Sequence, residues 1–442
     1  MTIYFLGIGG IGMSAIAHYY LQNGDTVHGY DHTRSAITDK LQDEGAFIHF
    51  DEDVNMIPPQ VDFVVYTPAI PASHKELTYF QEHHIPIYKR SQVLGKIAKG
   101  HPTIAVAGTH GKTTTTAMIT QLMAADRKLL AFIGGIAKNF ESNIIIQNNF
   151  DTVVAEADEF DRSFLTLFPT LAIITSIDSD HLDIYGDYQH LVESFQLFVN
   201  QIEEEGHLLI HERIASAIHH PNKLTYGEGE NCDFRISDIH LEANDTSFTL
   251  SYRDLTYEHL QLTVSGMHNI LNAAAAVASG ILFGISEATI RERIAAFSGV
   301  KRRFDYQIKR EDLVFIDDYA HHPEEIRAIL TAVRKLYPEK QLTVIFQPHL
   351  YTRTRDFAPQ FAEVLALADR LILLDIYPAR ELPIPGINSQ FLLDMVDSPH
   401  KILLSKEALL PYLTTHKPQL LLTIGAGDID RLVAPIRELL EK

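Results

Sequence analysis

Twice along the chain a short apolar run enters a glycine turn and leaves it as the start of a helix. The two stretches are YFLGIGGIGMSAIA at residues 4–17 and AVAGTHGKTTTTAM at residues 105–118. A strand followed directly by a helix belongs to a parallel sheet, because a crossover must carry the chain back before the next parallel strand can pair. Each turn also aims backbone N–H groups and a helix N-terminus at one spot, a ready-made place for an anion. The pattern therefore predicts an α/β protein with two separate anion cradles.

The rest of the chain extends this reading. Residues 2 to about 98 alternate strand and helix signals: TIYFLGI, GMSAIAHYYLQNG, TVHGYD, VDFVVYTPAI, HKELTYFQEHH and IPIYKR. The second turn opens another series, with strands at TIAVAGT, DTVVAEAD and TLAIITSI. Residues 227–265 change to polar, alternating strands (TSFTLSYRD, LQLTVSG), an antiparallel insertion, and a helical run over 269–296 follows. After KRRFDYQ a third series begins, with strands LVFIDDY, QLTVIFQ, RLILLDIY and QLLLTIGAG. Three α/β domains are expected. Residues 1–98 form a Rossmann-like domain, 99–300 a central P-loop mononucleotide-binding domain with a small antiparallel insertion, and 301–442 a C-terminal Rossmann-like domain.

Charge and cysteine usage narrow the function. The formal net charge of −20 over 442 residues argues against a nucleic-acid partner. Anionic ligands would need local cation clusters, and VKRRFD (300–305) and YTRTRD (351–356) supply them. A single cysteine, Cys232, rules out an intrachain disulfide and fits a reducing compartment. Met1 leads straight into a strand-like segment with no signal-type run, and the most apolar helix candidate, NILNAAAAVASGILFGI, carries Asn272. The expectation is a cytoplasmic monomer or homodimer with no membrane partner.

The first cradle has the form Gly7-x-Gly9-x-x-Gly12, with Asp31 at the end of the next strand, near where an acidic residue reaches a ribose hydroxyl. Alone it does not choose between a dinucleotide and another nucleotide diphosphate. The second, Gly108-Thr109-His110-Gly111-Lys112-Thr113, keeps the working part of a P-loop, although Val106 stands where the first glycine of that pattern belongs. Lys112 can neutralise phosphate charge and Thr113 can offer its hydroxyl to Mg²⁺. Four β-branched threonines at a helix start are poor helix formers, so a purely structural reason for them is strained. Metal partners are expected from VVAEADEFDRSF, which sets Glu156 beyond a strand, and from IITSIDSDHLDIYG, which sets Asp180 and His181 beyond another. In SGMHNILNAAAA, Asn269 and Asn272 share a helix face. Arg303 in KRRFD could swing onto a γ-phosphate or belong to a solvated basic patch, and the residues alone favour neither. FIDDYAHHPEEI and IFQPHLYTRTRDF put Asp317, Asp318, Tyr319, His321, His322, His349, Tyr351, Arg353 and Arg355 at strand ends, a carboxylate-binding composition.

Taken in order, GIGGIGMSAIA, AGTHGKTTTT, EADEFDRSFL, DHLDIYG, GMHNILNAAAA, RRFD, DDYAHHPEEI, QPHLYTRTRDF and IGAGDI resemble the Mur ligase family over essentially the whole chain. The resemblance implies that the first domain holds a UDP-sugar, the second ATP and the third an amino acid. In the alanine-adding branch, which the motifs most resemble, ATP and Mg²⁺ drive amide formation between L-alanine and the lactyl carboxylate of UDP-N-acetylmuramate through an acyl phosphate. It further implies UDP-sugar contacts at Gly7, Gly9, Gly10, Gly12, Met13, Ser14, Asp31 and Thr67. ATP contacts are implied at Gly108, Thr109, His110, Gly111, Lys112, Thr113, Thr114, Asn269, Asn272, Arg303 and Asp318. Thr113, Glu156 and His181 are implied as metal ligands, Lys112, Glu156, His181 and Arg303 as the catalytic set, and Tyr319, His321, His349 and Arg353 as neighbours of the amino acid.

Three positions depart from the family pattern. LVESFQLFVNQIEEE lacks the lysine that several relatives modify, Leu350 replaces an arginine in PHLYTRT, and Phe160 stands where relatives often show serine. Rival expectations are a sister ligase that attaches a recycled murein tripeptide, a nicotinamide-dependent oxidoreductase suggested by the first turn, and an ATP-driven regulatory or motor protein.

Overall fold

A computed structural model describes residues 1–178, 187–242, 245–379 and 381–442. Its strands are the apolar runs of the sequence. Thr103–Ala107, Leu342–Phe346 and Leu420–Ile424 are buried at every position, as strands covered by helices on both faces must be. The chain divides into two units, Met1–Gly299 and Val300–Lys442.

The first unit contains two sheets. One is wholly parallel, with strands in the order Phe47–His49, Thr26–Tyr30, Thr2–Leu6, Phe63–Tyr66 and Ile87–Lys89. The other is 10-stranded among the described residues. Its parallel centre runs Lys223–Gly227, His207–His211, Leu171–Ile174, Thr103–Ala107, Thr152–Glu156 and Leu129–Ala137. Ser142–Ile146 folds back antiparallel on one edge. On the other edge the expected antiparallel insertion does not stand apart. Tyr226 and Gly227 pair in parallel with Phe234 and Arg235, and the Phe234–Leu241, Thr246–Tyr252 and Leu255–Leu262 meander continues the same sheet. One apolar cluster takes in Phe5, Ile16 and Leu94 from the first domain and Phe132, Phe164 and Phe195 from the central one. Burying each such phenylalanine contributes roughly 1.5–3 kcal/mol, so the two domains stabilise each other.

Among the described residues the second unit carries a 6-stranded sheet in the order Asp305–Lys309, Val314–Asp318, Leu420–Ile424, Leu342–Phe346, Arg370–Leu373 and Lys401–Leu403. Only Asp305–Lys309 is antiparallel to its neighbour. In each sheet the candidate side chains lie at or just beyond the C-terminal ends of parallel strands, where open α/β sheets bind ligands.

Candidate active site

The first glycine turn is built by close approach. Gly7 has φ +85°, and a Cβ there would stand 2.8 Å from the Thr67 methyl carbon. Its N–H donates to the Tyr30 carbonyl at 2.8 Å. A Cβ on Gly9 would meet Thr38 Cγ2 at 2.8 Å and Asp31 Oδ2 at 2.9 Å, and one on Gly12 would meet Arg90 Nη1 at 2.8 Å. Gly10 caps the helix Ile11–Gln22 without a side-chain bond, leaving the first-turn N–H groups turned outward. Met13 and Ser14 are buried beneath the turn. Asp31 braces the turn from within, since one carboxylate oxygen accepts the Gly9 N–H at 2.8 Å and the other the Thr33 N–H at 3.0 Å.

The second turn follows the strand Thr103–Ala107. Gly108 has φ +138° and Gly111 φ +82°, the latter as the left-handed cap of the helix Lys112–Met123. Thr109 N–H donates to the Ser176 carbonyl at 3.1 Å and His110 N–H to Ser176 Oγ at 2.9 Å. The amides that can meet phosphate are therefore those of the helix start, around Gly111 to Thr114, rather than the whole loop. Thr109 Oγ1 also donates to Asp178 at 3.2 Å, and the Asp178 N–H returns to Thr109 Oγ1 at 3.1 Å. Neither Ser176 nor Asp178 was among the sequence candidates.

Lys112 lies back over its own loop. Its Nζ donates to the Gly108 carbonyl at 2.6 Å and lies 2.9 and 2.8 Å from the two oxygens of Glu159. Burial opposes the charge on Lys112, but the carboxylates of Glu159, Asp158 and Glu156 prevail and hold its pKa above the ordinary lysine value. Glu156 ends its strand opposite Val106 and accepts the Gly134 N–H at 3.0 Å. Asn272 reaches the same turn from the helix Met267–Leu282, where its Oδ1 accepts a bond from Thr115 Oγ1 at 3.2 Å, while Asn269 Nδ2 donates to the Ser265 carbonyl at 2.8 Å. Thr113 is buried. Asp180 and His181 lie outside the described residues, as does the side chain of Phe160.

The segment Glu156–Glu159 faces both cradles. Glu159 holds Lys112, while Asp158 lies 3.9 Å from Arg90, the side chain that covers Gly12. Asn143 adds a second tie between the two domains, donating to Ser14 Oγ at 3.1 Å and to the Ile11 carbonyl.

In the second unit the candidate residues form a chain of contacts. The Arg303 guanidinium lies 5.2 Å from the centre of the Tyr319 ring, Tyr319 is 5.2 Å from the His321 ring, and His321 is 6.0 Å from His349. Arg353 Nη1 is 3.3 Å from His349 Nδ1. Asp318 braces the backbone beside this cluster. Its two oxygens accept Phe304 N–H at 2.7 Å and Ala320 N–H at 2.8 Å, while burial raises its pKa against the pull of Arg303. Asp317, one residue earlier, is pushed up to about 7 by burial, with Arg302 and Thr423 opposing. Glu325, which sequence reasoning missed, accepts the N–H groups of His321 at 2.8 Å and His322 at 3.1 Å. Burial would raise Glu325, but His321, those N–H groups and Arg303 win and hold it near 2. Its only sequence signal is its place in the first turn of the helix Pro323–Leu336.

Leu350 adopts φ +71°, and its turn is fixed through its backbone groups, not its side chain. Its N–H donates to the Tyr377 carbonyl at 3.0 Å, and its carbonyl accepts from Thr354 Oγ1 at 2.8 Å. Leucine in place of arginine thus leaves the turn and Arg353 in position while removing one cation.

Comparison with known proteins accounts for all three sheets. Residues 2–102 match the Mur ligase family catalytic domain, 106–280 the Mur ligase middle domain and 302–427 the Mur ligase glutamate ligase domain. Proteins named UDP-N-acetylmuramate–L-alanine ligase are similar over their whole length. That of Cytophaga hutchinsonii is 44% identical, covering 100% of this chain and 97% of its own. That of Parabacteroides distasonis is 46% identical with the same coverage. Among solved structures, a UDP-N-acetylmuramate–alanine ligase of Thermotoga maritima superposes with a TM-score of 0.83 at 27% identity, covering 100% of this chain and 99% of its own. A murein peptide ligase of Psychrobacter arcticus shares the fold, with a TM-score of 0.73 at 22% identity over 100% and 98%. Three family-model matches that together span most of the chain, and relatives 44–46% identical over nearly their full length, place it: the chain belongs to the Mur ligase family.

Proposed function

We propose that this protein is an ATP-dependent ligase that joins L-alanine to the lactyl carboxylate of UDP-N-acetylmuramate, a step in building peptidoglycan precursor. The observation that carries the reading is full-length identity of 43–46% to alanine ligases, with chain coverage of 99–100%. The UDP diphosphate would sit on the Gly7–Gly12 turn and the ATP phosphates on the Gly108–Thr114 turn.

The chemistry needs charge neutralisation and alignment more than covalent help from the protein. The substrate carboxylate attacks the γ-phosphorus and ADP leaves, giving an acyl phosphate. The amine of alanine, as the free base, attacks the acyl carbon, and the tetrahedral adduct collapses with loss of phosphate. Lys112 and Arg303 would carry positive charge to the phosphates. Asn269 and Asn272 would border the nucleotide, Asp318 would lie by its ribose, and Tyr319, His321, His349 and Arg353 would receive the amino acid. Arg353 is the natural partner for alanine's carboxylate, because a guanidinium pairs with carboxylate in a fixed two-point geometry.

The family also implies Mg²⁺, and the donors present suit it. Glu156 and Thr113 offer hard oxygen ligands, the type this ion takes, with His181 as the third candidate. Among the described residues no group of three or more His, Cys, Asp or Glu is arranged to hold a metal by itself. Nucleotide oxygens would complete the shell, as is usual for this ion. Bound there, it would neutralise charge on the transferring phosphoryl group.

The test is phosphate release with ATP and Mg²⁺ over a panel of UDP-sugars, amino acids and the murein tripeptide. Release should require UDP-N-acetylmuramate together with L-alanine, and Lys112→Ala should abolish it. Preference for the tripeptide would make this a recycling ligase, and turnover without any UDP-sugar would contradict the assignment. No helix among the described residues is long and apolar enough to cross a membrane, which is compatible with cytoplasmic action.

A further inference from the structure

Glu159 is absent from every functional expectation above, yet it is the acidic group closest to Lys112. Its side chain is 0% exposed, and although it precedes the short 3₁₀ helix Phe160–Thr166, its carboxylate makes no capping bond there. Both carboxylate oxygens instead reach Lys112 Nζ, at 2.9 and 2.8 Å. Lys112 is itself only 13% exposed, and an ammonium has three protons to place. One goes to the Gly108 carbonyl at 2.6 Å, and the Thr109 carbonyl at 3.5 Å is a marginal third acceptor. Glu159 is therefore the principal neutraliser of this buried cation.

We propose that Glu159 is a built-in stand-in for nucleotide phosphate. It binds Lys112 in competition with the phosphates of ADP or ATP, and so sets nucleotide affinity. This inference rests on the reading of the Gly108–Thr114 turn as the nucleotide cradle.

Two physical facts make the arrangement consequential. A buried ammonium without a counter-ion is costly, so Lys112 needs a carboxylate partner within the protein. That same carboxylate repels incoming phosphate and competes for the cation, so it weakens the hold on ATP and also on product ADP. A ligase that must release ADP in every cycle gains from such a competitor.

The experiment is calorimetric titration of ADP into the full chain, wild type against Glu159→Gln. The amide keeps the shape but removes the charge. The dissociation constant should fall roughly tenfold, the size of losing one repulsive charge near a site at an effective dielectric of about 20 with partial salt screening. The KM for ATP should fall with it. Glu159→Asp, which restores the charge, should return affinity towards the wild-type value. A merely structural role predicts the reverse, weaker ADP binding in step with a lower melting temperature.

Lys112→Met and the double variant Lys112→Met/Glu159→Gln give a second arm should the single amide variant fold poorly. Lys112→Met leaves Glu159 without its counter-ion and should bind ADP much more weakly, and adding Glu159→Gln should recover part of that loss. Equal or weaker ADP binding by Glu159→Gln, or no recovery in the double variant, overturns the proposal. Loss of ADP binding on Lys112→Met supports the cradle reading whatever Glu159 does, which keeps the two failures apart.

Discussion

Gly111 tests how tightly the second turn is fitted. Alanine there meets two penalties. The residue sits at φ +82°, and the left-handed region costs an L-residue with a Cβ about 1–2 kcal/mol. The added carbon would also lie 2.5 Å from Asn272 Oδ1 and 3.5 Å from its Cγ, so the amide must move. Moving it breaks the buried bond from Thr115 Oγ1, with a cost of about 1–3 kcal/mol. Gly111→Ala should therefore lower stability by about 2–5 kcal/mol. Asn272→Ala alone should lose the amide's share of this. In the double variant the collision is gone, so the two losses should fall short of additivity by about 1–3 kcal/mol. Denaturant unfolding of the four proteins, following the transition of the unit that carries the turn, measures that coupling. Strict additivity would mean that Asn272 does not pack on Gly111 and would refute the geometry from which the cradle is argued.

Three further outcomes follow from other parts of the molecule. Gly9→Ala would press on Thr38 and Asp31, so the KM for UDP-N-acetylmuramate should rise at least tenfold while ADP affinity, measured by titration, stays unchanged. Glu76 is buried against Tyr4 Oη at 2.7 Å and His49 Nε2 at 2.9 Å, and burial pushes its pKa up to about 7. Its folded value is raised, so the folded state binds the extra proton, and this stability is present at low pH and lost as pH climbs from about 4.5 through 7. Glu76→Gln should flatten that slope in melting temperature against pH. Arg353→Lys should raise the KM for alanine far more than the KM for ATP, because an ammonium cannot reproduce the two-point carboxylate contact.

Local features were legible in the sequence, and long-range ones were not. The strands Thr103–Ala107 and Leu420–Ile424 announce themselves as unbroken apolar runs, and the two turns by glycines whose spacing reflects close approach. Leu129–Ala137 escapes notice because two glycines interrupt it, and Ser142–Ile146 because it is short and its partner is set by the fold. Continuity of the antiparallel meander with the central sheet depends on the pairing of Tyr226 with Phe234, a register that no local pattern encodes. The same division holds in the site. Lys112, Thr113 and Glu156 follow from spacing beside a strand. Glu159 acquires meaning only through a lysine 47 residues away, and Glu325 only through the N–H groups of His321 and His322. Asp31 and Asp318 were found at the right strand ends, but their backbone bonds, which shape the turns, appear only in three dimensions.

The central claim is that the carboxylate of a UDP-sugar is carried to the γ-phosphate of ATP and activated there before the amine arrives. Oxygen-18 in the lactyl carboxylate of UDP-N-acetylmuramate tests it directly by mass spectrometry of the inorganic phosphate released with L-alanine. Each turnover should place one labelled oxygen in phosphate, because the oxygen that attacked phosphorus leaves with it. Unlabelled phosphate alongside amide product would contradict the account.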